Sequence, residues 1–119
     1  MHADPATLPR VPRQPRRTSA DRVREALETM GQGHARIASH CETAWASVTF
    51  AGARHRVELL FEGADGVEAG EHFIATLPDH EFAIPRQLVA DAAVMEVDHR
   101  MMPQPRLAVS VELLVLEDA

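Results

Sequence analysis

Apolar positions along this chain follow two rhythms, one of three to four residues and one of two. The first begins at Val23, where Val23, Leu27, Met30, His34, Ile37 and Cys41 stand 4, 3, 4, 3 and 4 residues apart and describe one face of an α-helix. Thr18 followed by Asp21 is a T-x-x-D capping pattern, so the helix starts at Thr18 or Ser19. Gly31 and Gly33 interrupt the stripe, each costing about 1 kcal/mol relative to alanine in a helix interior. Because the stripe resumes in phase beyond them, the pattern favours one helix to about residue 40. The competing reading ends the helix at Gly31 as a C-cap.

The second rhythm predicts strands at 43–50 and 54–62, joined at Ala51-Gly52-Ala53. Val48 and Phe50 share a face of the first, and Val57, Leu59 and Phe61 alternate with Arg56, Glu58 and Glu62 on the second. A second helix follows from Asp65 to Leu77, with Val67, Ile74 and Leu77 inward and Pro78 closing it. Phe82-Ala83-Ile84 reads as a short extended piece. Strands at 88–99 and 106–117 flank a turn that contains Pro103 and Pro105. The order helix, hairpin, helix, hairpin defines an α+β fold, αββαββ, with a four-stranded antiparallel sheet and both helices on one face. A V-E-L-L run recurs at Val57–Leu60 and Val111–Leu114, thin evidence for a duplicated αββ unit.

The last strand changes the picture. Leu107, Val109, Val111, Leu113 and Val115 form one apolar face, yet Leu114 and Leu116 make the far end of the opposite face apolar too. Two helices on one side leave that second face uncovered, so a homodimer interface is expected at Leu113, Leu114, Val115 and Leu116.

Charge divides the chain near residue 18. Residues 1–18 hold four arginines and one acid, with Pro9, Pro12 and Pro15 at every third position, and the remainder holds eight arginines and seventeen acids. Prolines at that interval exclude a helix, so residues 1–18 are expected to form a disordered Arg/Pro-rich arm ahead of a single domain at 19–119. A net charge of −6 argues against nucleic acid as a partner of the domain. Lysine, asparagine and tyrosine are absent, which fits a G+C-rich bacterial gene. The single cysteine, Cys41, excludes an internal disulfide, and neither a spanning segment nor a secretory signal is evident, so a cytoplasmic setting without membrane contact is expected.

Candidate chemistry is sparse. The densest polar group is Glu68 and His72, which share a helix face at a spacing of four, together with the loop residues Asp79, His80 and Glu81. Carboxylates and imidazoles in that number suit ligand binding or general acid–base work in a cleft. No metal-ligand spacing, P-loop, nucleophile elbow or dinucleotide fingerprint is present, so no catalytic residue, metal or cofactor is assigned. His34 reads as a half-buried residue of the helix stripe, Cys41 as a small apolar residue, and His55 and His99 as surface residues near turns. The leading expectation is a non-enzymatic association module that self-associates through its sheet and meets a protein partner. The alternative is a ligand-binding protein or enzyme with a cavity between sheet and helices, its polar end at His72–Glu81.

Overall fold

Helix α1 spans Ser19–Met30 in a computed structural model that describes residues 17–117; the arm reading for residues 1–16 lies outside the described residues. Its start is the expected capping box. The Thr18 hydroxyl accepts the Asp21 N–H, and the Asp21 carboxylate accepts the Thr18 N–H, both at 3.1 Å. The bond from the Thr18 amide, reinforced by the Thr18 hydroxyl and by Arg24, holds the Asp21 carboxyl below its ordinary value.

The helix stops at Met30 and does not run to residue 40. Gly31 donates its N–H to the Leu27 carbonyl at 3.0 Å, and Gln32 and Gly33 adopt left-handed φ values of 57° and 82° that turn the chain back. Ala35–Ala46 then forms strand β1, longer and earlier than the expected 43–50. A β-bulge explains the misleading periodicity. The register of β1 slips between Ile37 and Ser39, so the residues facing the helices are Ala35, Ile37, His40, Glu42 and Ala44. One inserted residue turns a spacing of two into a spacing of three, which imitates a helical step. His34 is exposed in the turn, and Cys41 is exposed on the opposite face of the strand.

Ser47–Phe50 is the hairpin turn, closed by the Ser47 N–H donating to the Phe50 carbonyl at 2.7 Å. Val48 and Phe50 therefore sit in the turn and not on a strand. Strand β2 covers Ala51–Glu62, α2 covers Gly63–Thr76 with a 3-10 turn at Leu77–Asp79, β3 covers Gln87–Arg100 and β4 covers Arg106–Glu117. The segment around Phe82–Ile84 forms no strand, though Ile84 is buried.

The sheet is antiparallel in the order β1-β2-β4-β3, with both helices on one face. Its helix side is built in rows across the two central strands: His55 opposite Leu113, Val57 opposite Val111, Leu59 opposite Val109, and Phe61 opposite Leu107. Val23 and Leu27 of α1 and Phe73 and Leu77 beyond β2 close over these rows, all fully buried. Helix α2 lies so near the sheet that a Cβ on Gly70 would stand 2.6 Å from Leu107 Cδ2 and 2.9 Å from Phe61 Cγ. Glycine is there because two elements touch.

Candidate functional site

Three places hold chemistry or unspent surface. The first is an open groove of about 620 Å³ between α1 and the segment that follows α2. Its floor is apolar, with Ala26, Met30, Phe82 and Ile84, and its rim carries Arg22, Gln32, His72, Thr76, His80 and Glu81. His72 arrives from the exposed side of α2, while His80 and Glu81 arrive from the extended stretch after Asp79. The His80 ring stands edge-on to Phe82 with centroids 4.6 Å apart. The fold thus brings together His72, His80 and Glu81 of the five residues expected to act as a group. Glu68 and Asp79 are exposed elsewhere and do not line the groove. Rim residues of this kind can bind and orient a small polar ligand. Among the described residues no three His, Cys, Asp or Glu side chains are grouped closely enough to hold a metal ion.

The second place is the sheet face opposite the helices. Strand alternation puts Leu113 and Val115 against the helices, buried in the core, and turns Leu114 and Leu116 to the other face, where Leu114 is half-buried and Leu116 is already buried among its neighbours on that face. Only half of the four residues expected at an interface therefore belong to the open face. Leu116 and Gly52 form one cross-strand row with Trp45 of β1 and Leu88 of β3. Beside that row the hairpin turn and the start of β3 enclose a recess of about 660 Å³, lined in part by Val48, Phe50, Leu88 and Leu116. Val48, Phe50 and Leu88 are 106%, 51% and 62% exposed. Toward the middle and the far end of the face the side chains become charged, and several of them pair. Glu112 accepts from Arg54 and Arg56 at 3.1 and 3.3 Å, and Glu62 accepts from Arg36 at 2.8 Å.

Sequence reasoning missed the third place. His55, expected at the surface, is fully buried between Leu113 and β1. Its Nδ1 lies 2.8 Å from Nε2 of His40, whose Nδ1 lies 3.0 Å from an Arg24 guanidinium nitrogen, and Arg24 in turn pairs with Asp21. His55 Nε2 finds no hydrogen-bond partner among the described residues. Burial pushes the His55 imidazole below its ordinary pKa, partly offset by Glu42 and aided in smaller measure by the positive charge of Arg24; burial and then His55 itself do the same to His40. A signal for this site was present. The alternation of Val57, Leu59 and Phe61 extends back through His55 and Ala53, which places His55 on the core side.

No family model, curated protein or solved structure matches the chain. No helix among the described residues is long and apolar enough to cross a membrane.

Proposed function

We propose that this domain is an association module that pairs with a second copy of itself through the open face of its sheet. The observation that carries the reading is the apolar end of that face, where Leu88, Leu114, Leu116 and Trp45 adjoin the exposed Val48 and Phe50 of the hairpin turn. A layer of apolar side chains with no helix over it gains by excluding water. The whole face, four strands about 4.8 Å apart and some twelve residues long, outlines roughly 750 Å², so a contact of the ~800 Å² per partner of an ordinary stable interface takes in its charged part as well as its apolar end. The apolar patch occupies one end of the face, and the charged residues beyond it are partly neutralised by the Arg36–Glu62, Arg54–Glu112, Arg56–Glu112 and Arg100–Asp98 pairs. Charge supports a second copy as the occupant. The open face carries Arg36, Arg54, Arg56, Arg100 and Arg106 against Glu58, Glu62, Asp91, Glu96, Asp98 and Glu112, nearly neutral in a chain of net charge −6, so two such faces meet without strong repulsion.

The two residues to change are Leu88 and Phe50, because both are exposed and neither supports the core. The Leu88→Glu, Phe50→Glu variant is expected to keep its circular dichroism spectrum and unfolding midpoint while sedimenting as a monomer at concentrations where the unaltered chain is a dimer. A monomeric unaltered chain at tens of micromolar (about the range where a weak homodimer still registers), or a variant that assembles as before, overturns the reading.

A second reading, binding of a small ligand in the α1–α2 groove, is favoured by the convergence of His72, His80 and Glu81 over an apolar floor. Native mass spectrometry tests it. The reading expects a reproducible added mass that disappears in the His72→Ala, His80→Ala variant, and a bare mass on the chain purified from its own cells counts against it.

A further inference from the structure

The pair of buried His55 and half-buried His40 has a direction that the geometry fixes. A guanidinium has donors and no acceptor, so Arg24 donates to His40 Nδ1 at 3.0 Å. A neutral His40 then carries its proton on Nε2 and donates it to His55 Nδ1, 2.8 Å away. His55 in its turn carries its proton on Nε2, which points into the core where no described group accepts it. Every acceptor nitrogen in the series already faces a donor. An additional proton on either ring therefore replaces a hydrogen bond by two opposed donors, at His40 against Arg24 or at His55 against His40.

The surroundings do not rescue a charged ring. From α1 the pair faces Arg24, whose charge opposes protonation, and the more distant Asp21, which favours it at His40. From β1 it faces Glu42, the cross-strand neighbour of His55 and the group that most favours a positive imidazole. From β4 it faces Leu113, which offers nothing polar. Arg54 and Arg56, on either side of His55 in β2, point to the other face of the sheet.

We propose that the series Asp21, Arg24, His40, His55 is an acid-sensitive latch that fastens α1 to the first hairpin near neutral pH and releases it on acidification. Releasing α1 gives the buried His55 access to water and protons and exposes the half-buried His40 further. It also uncovers the buried Val23 and Leu27, together with the apolar rows beneath them. The sign follows from linkage. Both histidines bind protons less readily in the closed state than in the open one, so closure is fully favoured above the ordinary histidine value of 6.5 and is lost as pH falls below it. Asp21 acts in a separate window, below its ordinary value of 3.8.

The test uses the unaltered chain and two nuclear magnetic resonance readouts. Imidazole nitrogen shifts near neutral pH are expected to show His40 and His55 both protonated on Nε2 and bare on Nδ1. Amide exchange between about pH 7.5 and about pH 5 is expected to show α1 opening more often as pH falls. After correction for intrinsic exchange, the opening constant at Val23 and Leu27 rises by up to about tenfold per pH unit for each histidine that gains a proton on release. Val109 and Val111 in β4 respond less. In the His55→Phe variant the α1 dependence falls to the share of one histidine. Folded-state titration of both rings near 6.5, α1 opening that is flat across the range, or equal response of α1 and β4 overturns the latch; the unaltered chain alone decides this should the variant not fold.

Discussion

Phe61→Ala is expected to lower the unfolding midpoint by roughly 15–30 °C. The ring is fully buried at the end of β2, opposite Leu107, with its centroid 5.7 Å from that of Phe73. Removing a buried phenylalanine costs about 3–5 kcal/mol when the site cannot collapse, and each kcal/mol shifts the midpoint of a domain this size by about 4–8 °C. Collapse is hindered here because α2 already touches the sheet. Gly70 lies against Phe61 and Leu107, and a Cβ on Gly66 would stand 3.3 Å from the Phe61 backbone carbonyl carbon, so the helix has little room to settle into the void. Thermal melts followed at 222 nm measure the loss. A fall of less than about 5 °C would mean that α2 moves inward after all. The consequence reaches the groove, since His72 and Thr76 ride on the same helix. A ligand that stabilises the unaltered chain would protect this variant less.

The order and type of the elements were readable because their punctuation is strong. Pro78, Pro103 and Pro105 end or separate elements, and the alternation of β4 is unbroken from Leu107 to Val115. That alternation also identified both faces of the last strand, so the four-stranded antiparallel sheet with two helices on one side follows from local pattern alone. The bounds of the first hairpin did not follow, because a bulge is a tertiary feature written in local spacing. Ile37 and His40 are three apart for a reason that lies in β2, where Leu59 and Val57 take them as partners. Gly31 and Gly33 were the better guide, and a left-handed φ at Gly33 is what glycine most often marks.

The polar sites were less readable for a related reason. His55 is placed by alternation, but its contact with His40 depends on the bulge, and the contact with Arg24 depends on where α1 lies. Neither is a matter of sequence spacing. The groove shows the opposite failure. Glu68 and His72 do share a helical spacing, yet the groove meets α2 along the line of His72 and Thr76, so Glu68 falls outside it. Sequence proximity assembled five polar residues, and the path of the chain after Asp79 kept three.

Gly52→Ala is expected to destabilise the domain by about 3 kcal/mol, at the upper end of ordinary overpacking costs, and to abolish the proposed dimerisation as well. A Cβ at this position would stand 2.0 Å from the carbonyl oxygen of Val115 and 2.9 Å from Cα of Leu116. Both are backbone atoms of the neighbouring strand, so no change of rotamer relieves the clash and the ends of β2 and β4 must part. The gain of about 0.4–1 kcal/mol from a stiffer unfolded chain does not offset that movement. Parting these ends displaces the row that contains Trp45, Leu116 and Leu88, which is the centre of the proposed contact. The variant therefore differs from Leu88→Glu, Phe50→Glu in kind. The charge substitutions should separate assembly from stability, whereas Gly52→Ala should lose both together, with amide protection falling first at Val115 and Leu116. Denaturant melts run at two protein concentrations distinguish the cases, because the midpoint of a dimer rises with concentration and that of a monomer does not. A Gly52→Ala chain that is destabilised yet still shows a concentration-dependent midpoint would place the contact elsewhere, on the edge of β1 or on the helices.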